Sequence, residues 1–174
     1  MTLSELRIRQ VTGHDLERCT AIEAACYGPE GATRERIQKR IAQYPQGFLV
    51  AELRSRLVGF VNSGSTHKDD ITDEEFKDLV GHDPGGRNIV IFSLAVHPDF
   101  QRQGIANDLM QRFIQRAQEL GKKCILLLCK QDLIDYYGRL GFMHRGESKS
   151  THGGVQWHEM ALALNIVPPA QFSR

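Results

Sequence analysis

The sequence predicts an α/β domain built on one central mixed β-sheet with helices on its faces, and three observations predict it. A strand–helix–strand unit runs from Ile89 to Cys129, and such a crossover implies parallel pairing of its two strands. Pairs of apolar runs joined by turns stand on either side of that unit, which calls for antiparallel outer strands. Helical patterns with capping residues at their starts fill the intervals between strands. The 174 residues are most economically one domain with a substantial core. Residues 1–165 are read as that domain, and 166–174, with Pro168 and Pro169, as a poorly ordered tail.

In chain order, Leu6-Arg7-Ile8-Arg9 alternates apolar and charged residues, as a half-buried strand does. Thr12 to Asp15 offers capping side chains before Leu16, Cys19 and Ile22, which share one helix face. Gly28-Pro29-Glu30-Gly31 breaks that helix, and Thr33 caps a second with Ile37 and Ile41 toward the core. Phe48 to Leu53 and Leu57 to Asn62 form a hairpin across Arg54-Ser55-Arg56. Ser63 to Asn88 reads as polar and irregular, with a capping box at Thr72 to Glu75 opening a short helix through Phe76 and Leu79. Ile89 to Val96 is the longest apolar strand and is expected at the sheet centre.

After a polar turn, Leu109, Phe113, Ile114, Ala117 and Leu120 line one face of a long helix that Gly121 ends. Cys124 to Cys129 is a buried strand, Leu133 to Leu140 a short helix stopped by Gly141, and Phe142 to Arg145 with Trp157 to Leu164 a last hairpin.

Lys plus Arg number 22 against 21 Asp plus Glu, so no strong field favours nucleic acid or an anionic membrane, and neither is expected as a partner. No apolar run approaches the ~18–20 residues that cross a bilayer, and the start MTLSELRIRQ does not read as a secretory leader. Cys19, Cys26, Cys124 and Cys129 form no CxxC pair and read as reduced thiols of a cytoplasmic protein. Seven histidines are scattered without metal-ligand spacing, so no metal is expected. A Walker A motif is missing, as is the full Gly-x-Gly-x-x-Gly of a dinucleotide fold.

The turn between the central strand and the long helix carries Gln101-x-x-Gly104-x-Ala106. Small residues at 104 and 106 let a ligand approach the backbone, and a helix start leaves N–H groups without intrahelical acceptors. With the positive end of the helix dipole, those donors favour a phosphate. In its strand-to-helix context this segment resembles the acetyl-CoA signature of the GCN5-related N-acetyltransferases. A second block, Asp135-Tyr136-Tyr137-Gly138-Arg139-Leu140-Gly141-Phe142, is similar to that family's Tyr-x-x-x-Gly-Phe ending. The element order is the family's from Leu6 to Leu164.

The resemblance implies a mixed sheet whose two central parallel strands splay apart around the pantetheine arm of acetyl-CoA, the acetyl donor. The backbone of Leu94, Ala95 and Val96 is then expected to bond that arm, and Arg102, Gln103, Gly104, Ile105, Ala106 and Asn107 to surround the pyrophosphate. Tyr137 takes the position of a general acid, because a phenol of pKa ~10 is protonated at neutral pH and can give its proton to a leaving sulfur. Tyr136 and His97 read as packing and turn residues, and Cys129 as a buried thiol.

Pro84-Gly85-Gly86, Leu94-Ala95-Val96-His97 and Cys129 ahead of Tyr137 are most similar to the arylalkylamine (serotonin-type) branch. That branch carries two histidines on the central strand, where this chain has Val90 and Phe92, so the base is open among Ser93 through water, His67, His82 and solvent. The implied activity is acetyl transfer to a primary amine by direct attack in a ternary complex. The acceptor would lie between Cys26 to Thr33, Ser63 to Arg87 and Ser93, near Asp69, Asp70, Asp73, Glu74 and Glu75. A small amine, aromatic or a polyamine, suits that setting. The alternatives are a protein lysine or N-terminus as acceptor, or a non-catalytic acyl-CoA sensor. Family members often pair through their final strands, which makes a homodimer the candidate assembly.

Overall fold

The computed structural model describes residues 5–150 and 152–165. Seven strands form one sheet in the order β1-β2-β3-β4-β5-β7-β6, with β1 Leu6–Gln10, β2 Leu49–Leu53, β3 Arg56–Thr66, β4 Asn88–Val96, β5 Cys124–Cys129, β6 Met143–Glu147 and β7 His158–Ala163. Only β4 and β5 run parallel, and the other neighbours are antiparallel. This is the mixed sheet expected from the strand–helix–strand unit. The last hairpin places β7 between β5 and β6.

Among the described residues four α-helices cover the sheet: α1 Leu16–Tyr27, α2 Arg34–Gln43, α3 Ile105–Glu119 and α4 Ile134–Arg139. On one face Leu109, Met110, Phe113 and Ala117 of α3 pack on Ile89, Ile91, Ile125 and Leu127. On the other, Cys19 and Ile22 of α1 and Ile37 and Ile41 of α2 pack on Phe48, Val50 and Phe60. Each such large side chain contributes ~1.5–3 kcal/mol on burial, so these two layers fix the sheet between its helices.

Local signals hold α1 and α2 in place. Arg9 of β1 makes paired bonds to Asp15 at 2.8 and 2.9 Å, and Asp15 accepts from Thr12 N at 2.8 Å. The same guanidinium reaches Glu52 of β2 at 2.6 Å, so the start of α1 is tied to two strands. Thr33 caps α2, accepting from Arg36 N at 3.3 Å.

The segment read as irregular begins later than expected. Ser63 to Thr66 continue β3 against β4, with polar side chains buried but satisfied. Ser63 Oγ donates to Gly47 O at 2.7 Å, and Lys122 Nζ donates to Ser65 Oγ at 2.7 Å. The short helix through Phe76 is a 3₁₀ turn, Glu74–Asp78, capped by Asp73 rather than Thr72. The Asp73 carboxylate accepts from Glu75 N at 3.0 Å, and a bond two residues on favours a tight turn over an α-helical one. The Leu133 to Leu140 helix is likewise shorter, α4 being preceded by a 3₁₀ turn at Gln131–Leu133. No described helix is long and apolar enough to cross a membrane.

Candidate active site

β4 and β5 pair from Asn88–Cys124 to Ile91–Leu127 and then part. The divergence coincides with a bulge in β4. Asn62 of β3 stands opposite Ser93 and Ser63 opposite Ile91, so Phe92 has no partner across the ladder. A bulge adds local twist and sets two successive side chains on one face. Phe92, whose ring lies under Arg40 of α2, and Ser93, bonded to Glu23 of α1, therefore share one face.

Beyond the bulge, the free edge of β4 faces the gap. The Leu94 carbonyl accepts from the Tyr27 hydroxyl, and the Val96 carbonyl accepts from Cys26 Sγ at 3.2 Å and Gln101 Nε2 at 2.9 Å. A strand residue's N–H and C=O point to the same edge, so Leu94 and Val96 also direct their N–H groups into the gap. Ala95 belongs to the alternate set, opposite Phe60, and its backbone faces β3. Of the three positions expected to line an arm, Leu94 and Val96 present their backbone to the gap and Ala95 does not.

The turn after β4 is braced by its own side chains. His97 Nδ1 accepts from Asp99 N at 3.1 Å, a turn role as read from sequence, and Gln101 ties back to Val96. Arg102 and Gly104 are left-handed at φ 62° and 83°. Only glycine takes that conformation without strain, so Arg102 stores ~1–2 kcal/mol in the turn. The first bond of α3 runs from Asp108 N to Gly104 O at 3.1 Å. The N–H groups of Ile105, Ala106 and Asn107 thus have no intrahelical acceptor, while the buried Ile105 side chain anchors the turn to the core.

A cavity of about 400 Å³ runs from the β4–β5 gap to the space beneath α1 and α2. Glu23 of α1 lies in its wall at 2% exposure, and the Ser93 hydroxyl donates to its carboxylate, reaching Oε2 at 2.9 Å. Burial raises the Glu23 pKa above the usual carboxylate range, although Ser93 and the nearby Arg40 charge partly offset this. A carboxyl group so placed exchanges a proton closer to neutrality than a surface one.

Tyr137 of α4 lines the same cavity, packed edge-on against Phe142 with ring centres 5.7 Å apart. Burial pushes its phenol well above the ordinary value, so it holds its proton at neutral pH. Tyr136 meets Tyr137 edge-on with ring centres 5.1 Å apart, in keeping with a packing role. The Cys129 thiol, 2% exposed, is pushed up to about 11 by burial and is not a thiolate at neutral pH.

Of the base candidates read from sequence, Ser93 lies in the cavity and the histidines do not. His67 is exposed and paired with Asp83 at 3.0 Å. His82 packs on Tyr44 and accepts from Ser65 N at 2.9 Å. Val90 and Phe92 form apolar wall with Phe76, the two phenylalanine rings meeting at 5.3 Å. The sequence alone does not single out Glu23. Its signal was there, since it falls four residues after Cys19 and seven after Leu16, inside the buried stripe of α1.

A family model described as "Acetyltransferase (GNAT) family" matches residues 16–142. Serotonin N-acetyltransferase of Mesocricetus auratus is 30% identical over 110 residues, 63% of this chain and 52% of that protein. The chain spans about half the length of the serotonin N-acetyltransferases it matches. Among solved structures, the loading GNATL domain of CurA from Lyngbya majuscula superposes with a TM-score of 0.80 at 16% identity, covering 91% of this chain and 97% of that one. The structure of yncA from Salmonella typhimurium with its cofactor acetyl-CoA gives 0.68 at 20% identity, covering 93% and 95%.

Proposed function

The chain belongs to the acetyltransferase (GNAT) family, and on that premise we propose that it transfers an acetyl group from acetyl-CoA to a primary amine by direct attack in a ternary complex. One observation carries this reading: a single cavity joins the Glu23–Ser93 pair to Tyr137 across the gap between β4 and β5. Amide formation needs a neutral amine, a stabilised thioester oxygen and a proton for the departing thiolate. The cavity offers a group for each. A buried carboxylate on α1 in this cavity supports a catalytic reading over that of a sensor that lost turnover.

The residues present fit acetyl-CoA as the donor. Gly104 leaves the turn without a side chain where the helix begins, and the N–H groups of Ile105, Ala106 and Asn107 suit pyrophosphate oxygens. Arg102 and Gln103 flank that turn. Leu94 and Val96 offer N–H groups to the arm, and one of them would serve the thioester oxygen.

Glu23 then takes the proton of the incoming ammonium, with Ser93 fixing its carboxylate. The amine nitrogen bonds to the acetyl carbon, the carbon–sulfur bond breaks as Tyr137 gives its proton to the sulfur, the second proton shed by the nitrogen returns to the Tyr137 phenolate, and Glu23 releases the first to solvent. Burial serves both groups, raising the carboxyl toward neutral pH and keeping the phenol protonated.

The test is CoA release across a panel of small amines and lysine peptides, beside thermal unfolding with and without millimolar acetyl-CoA. Release with a small amine and a higher Tm with acetyl-CoA are expected. Stabilisation by acetyl-CoA without release from any acceptor restores the sensor reading, and no shift in Tm removes the coenzyme assignment.

A further inference from the structure

Proton transfer as described leaves one buried charge in the cavity unused. Arg40 of α2 is 3% exposed and borders the cavity, its guanidinium carbon 4.5 Å above the centre of the Phe92 ring. A guanidinium has five N–H donors in one rigid plane. Nη2 donates to Lys77 O at 3.1 Å and Nη1 reaches Asn62 Oδ1 at 3.4 Å, both neutral acceptors. Nε is buried with no acceptor, and so is the Asn62 Nδ2 group. Asn62 stands opposite Ser93, so these unsatisfied donors belong to the polar cluster that holds Glu23.

The other cations on this wall have partners. Arg36 is paired with Asp78 at 2.9 Å and Lys77 with Glu74 at 2.9 Å. Arg40 alone among these three has no carboxylate bonded to it among the described residues. Buried donors of this kind call for an acceptor, and a planar guanidinium matches a carboxylate with two parallel bonds. An acceptor with an ammonium and nothing else would bring a second cation beside a buried guanidinium. One that carries a carboxylate near its amine meets Glu23 with one end and Arg40 with the other.

We propose that Arg40 recognises a carboxylate on the acceptor, which is therefore a small zwitterion of the α-amino acid type with an apolar side chain against Phe76 and Phe92. This rests on the transferase reading given above and narrows its acceptor class.

The experiment compares matched pairs that differ only in the carboxylate: phenylalanine with phenethylamine, and tryptophan with tryptamine. CoA release by the wild-type protein is expected to favour the amino acid by at least ~10-fold in kcat/KM, the scale of one well-placed charged hydrogen bond. Arg40→Gln removes that preference chiefly through KM, and Arg40→Lys keeps part of it. Thermal stabilisation by acetyl-CoA, unchanged in both variants, shows that they fold. Should Arg40→Gln fail to fold, the wild-type pairs decide alone. Equal or better turnover of the amines overturns the carboxylate assignment and leaves the transferase reading intact. Release from neither series, with acetyl-CoA still stabilising the protein, withdraws the amino-acid assignment, and the wider panel of amines and lysine peptides then decides the transferase reading.

Discussion

The two sides of the cavity are built from different materials. The turn from Gln101 to Asn107 presents main-chain N–H groups, and its side chains either brace the turn or face solvent. The wall beneath α1 and α2 presents side chains: Glu23, Ser93, Arg40 and Phe92, drawn from two helices and a bulged strand. Main-chain donors are available whatever the local side chains, so the first wall suits a ligand common to a whole family. Side-chain groups change with one substitution, so the second wall is where acceptor and proton chemistry are decided. Substitutions on the two walls should therefore fail in different kinetic constants.

The largest effect is expected at Glu23. Glu23→Gln keeps the size and the bond to Ser93 but cannot take a proton, so kcat should fall by ~10³-fold, within the range for positioned proton transfer. Stabilisation by acetyl-CoA should be unchanged. The pH dependence gives the sign. The group works only when deprotonated and its pKa is raised by burial, so kcat/KM should fall as pH drops through a value above the ~4.3 of an ordinary glutamate. That acid limb should vanish in Glu23→Gln. A limb that persists in the variant would assign the base elsewhere.

Tyr137→Phe comes next. Removing the phenol proton should lower kcat by ~10²-fold, the low end for general acid catalysis, with little change in acetyl-CoA affinity. Single-turnover measurement with the best acceptor separates this from slow product release. An unchanged rate would leave Tyr137 as a core residue packed on Phe142. Both variants break the comparison if they weaken the coenzyme instead of the chemistry.

The same contrast explains what the sequence made legible. The turn is one contiguous segment between an apolar strand and an amphipathic helix, and Tyr137 sits in a second short block, so both could be read locally. Glu23 and Ser93 are 70 positions apart, and neither is unusual in its own neighbourhood. A carboxylate inside the buried stripe of α1 was visible in the spacing, but its partner was not. The bulge at Phe92 changes which residues of β4 share a face, and one strand's alternation contains no sign of it. The polar end of β3 failed for a related reason. Ser63 and Ser65 look like loop residues until Gly47 O and Lys122 supply their distant partners. Elements that depend on local period were recoverable, and those that depend on a long-range polar bond were not.

The smaller effects belong to the turn, and there a pair of substitutions is more informative than either alone. Gly104 has φ 83°, where a Cβ costs ~1–2 kcal/mol, so Gly104→Ala should raise KM for acetyl-CoA roughly 5–30-fold, with kcat within about twofold. Arg102 already bears that strain at φ 62°, and its side chain is exposed. Arg102→Ala keeps the same backbone demand and removes only the charge, so KM should change by about twofold or less, the scale of a solvent-screened contact. Initial rates at varied acetyl-CoA and low ionic strength measure both. A tenfold loss in Arg102→Ala would mean that the guanidinium itself grips the phosphate, and the strained φ at 102 would then be what aims it. The turn would in that case be a side-chain site as much as the opposite wall, and substitutions on the two sides would no longer sort by kinetic constant.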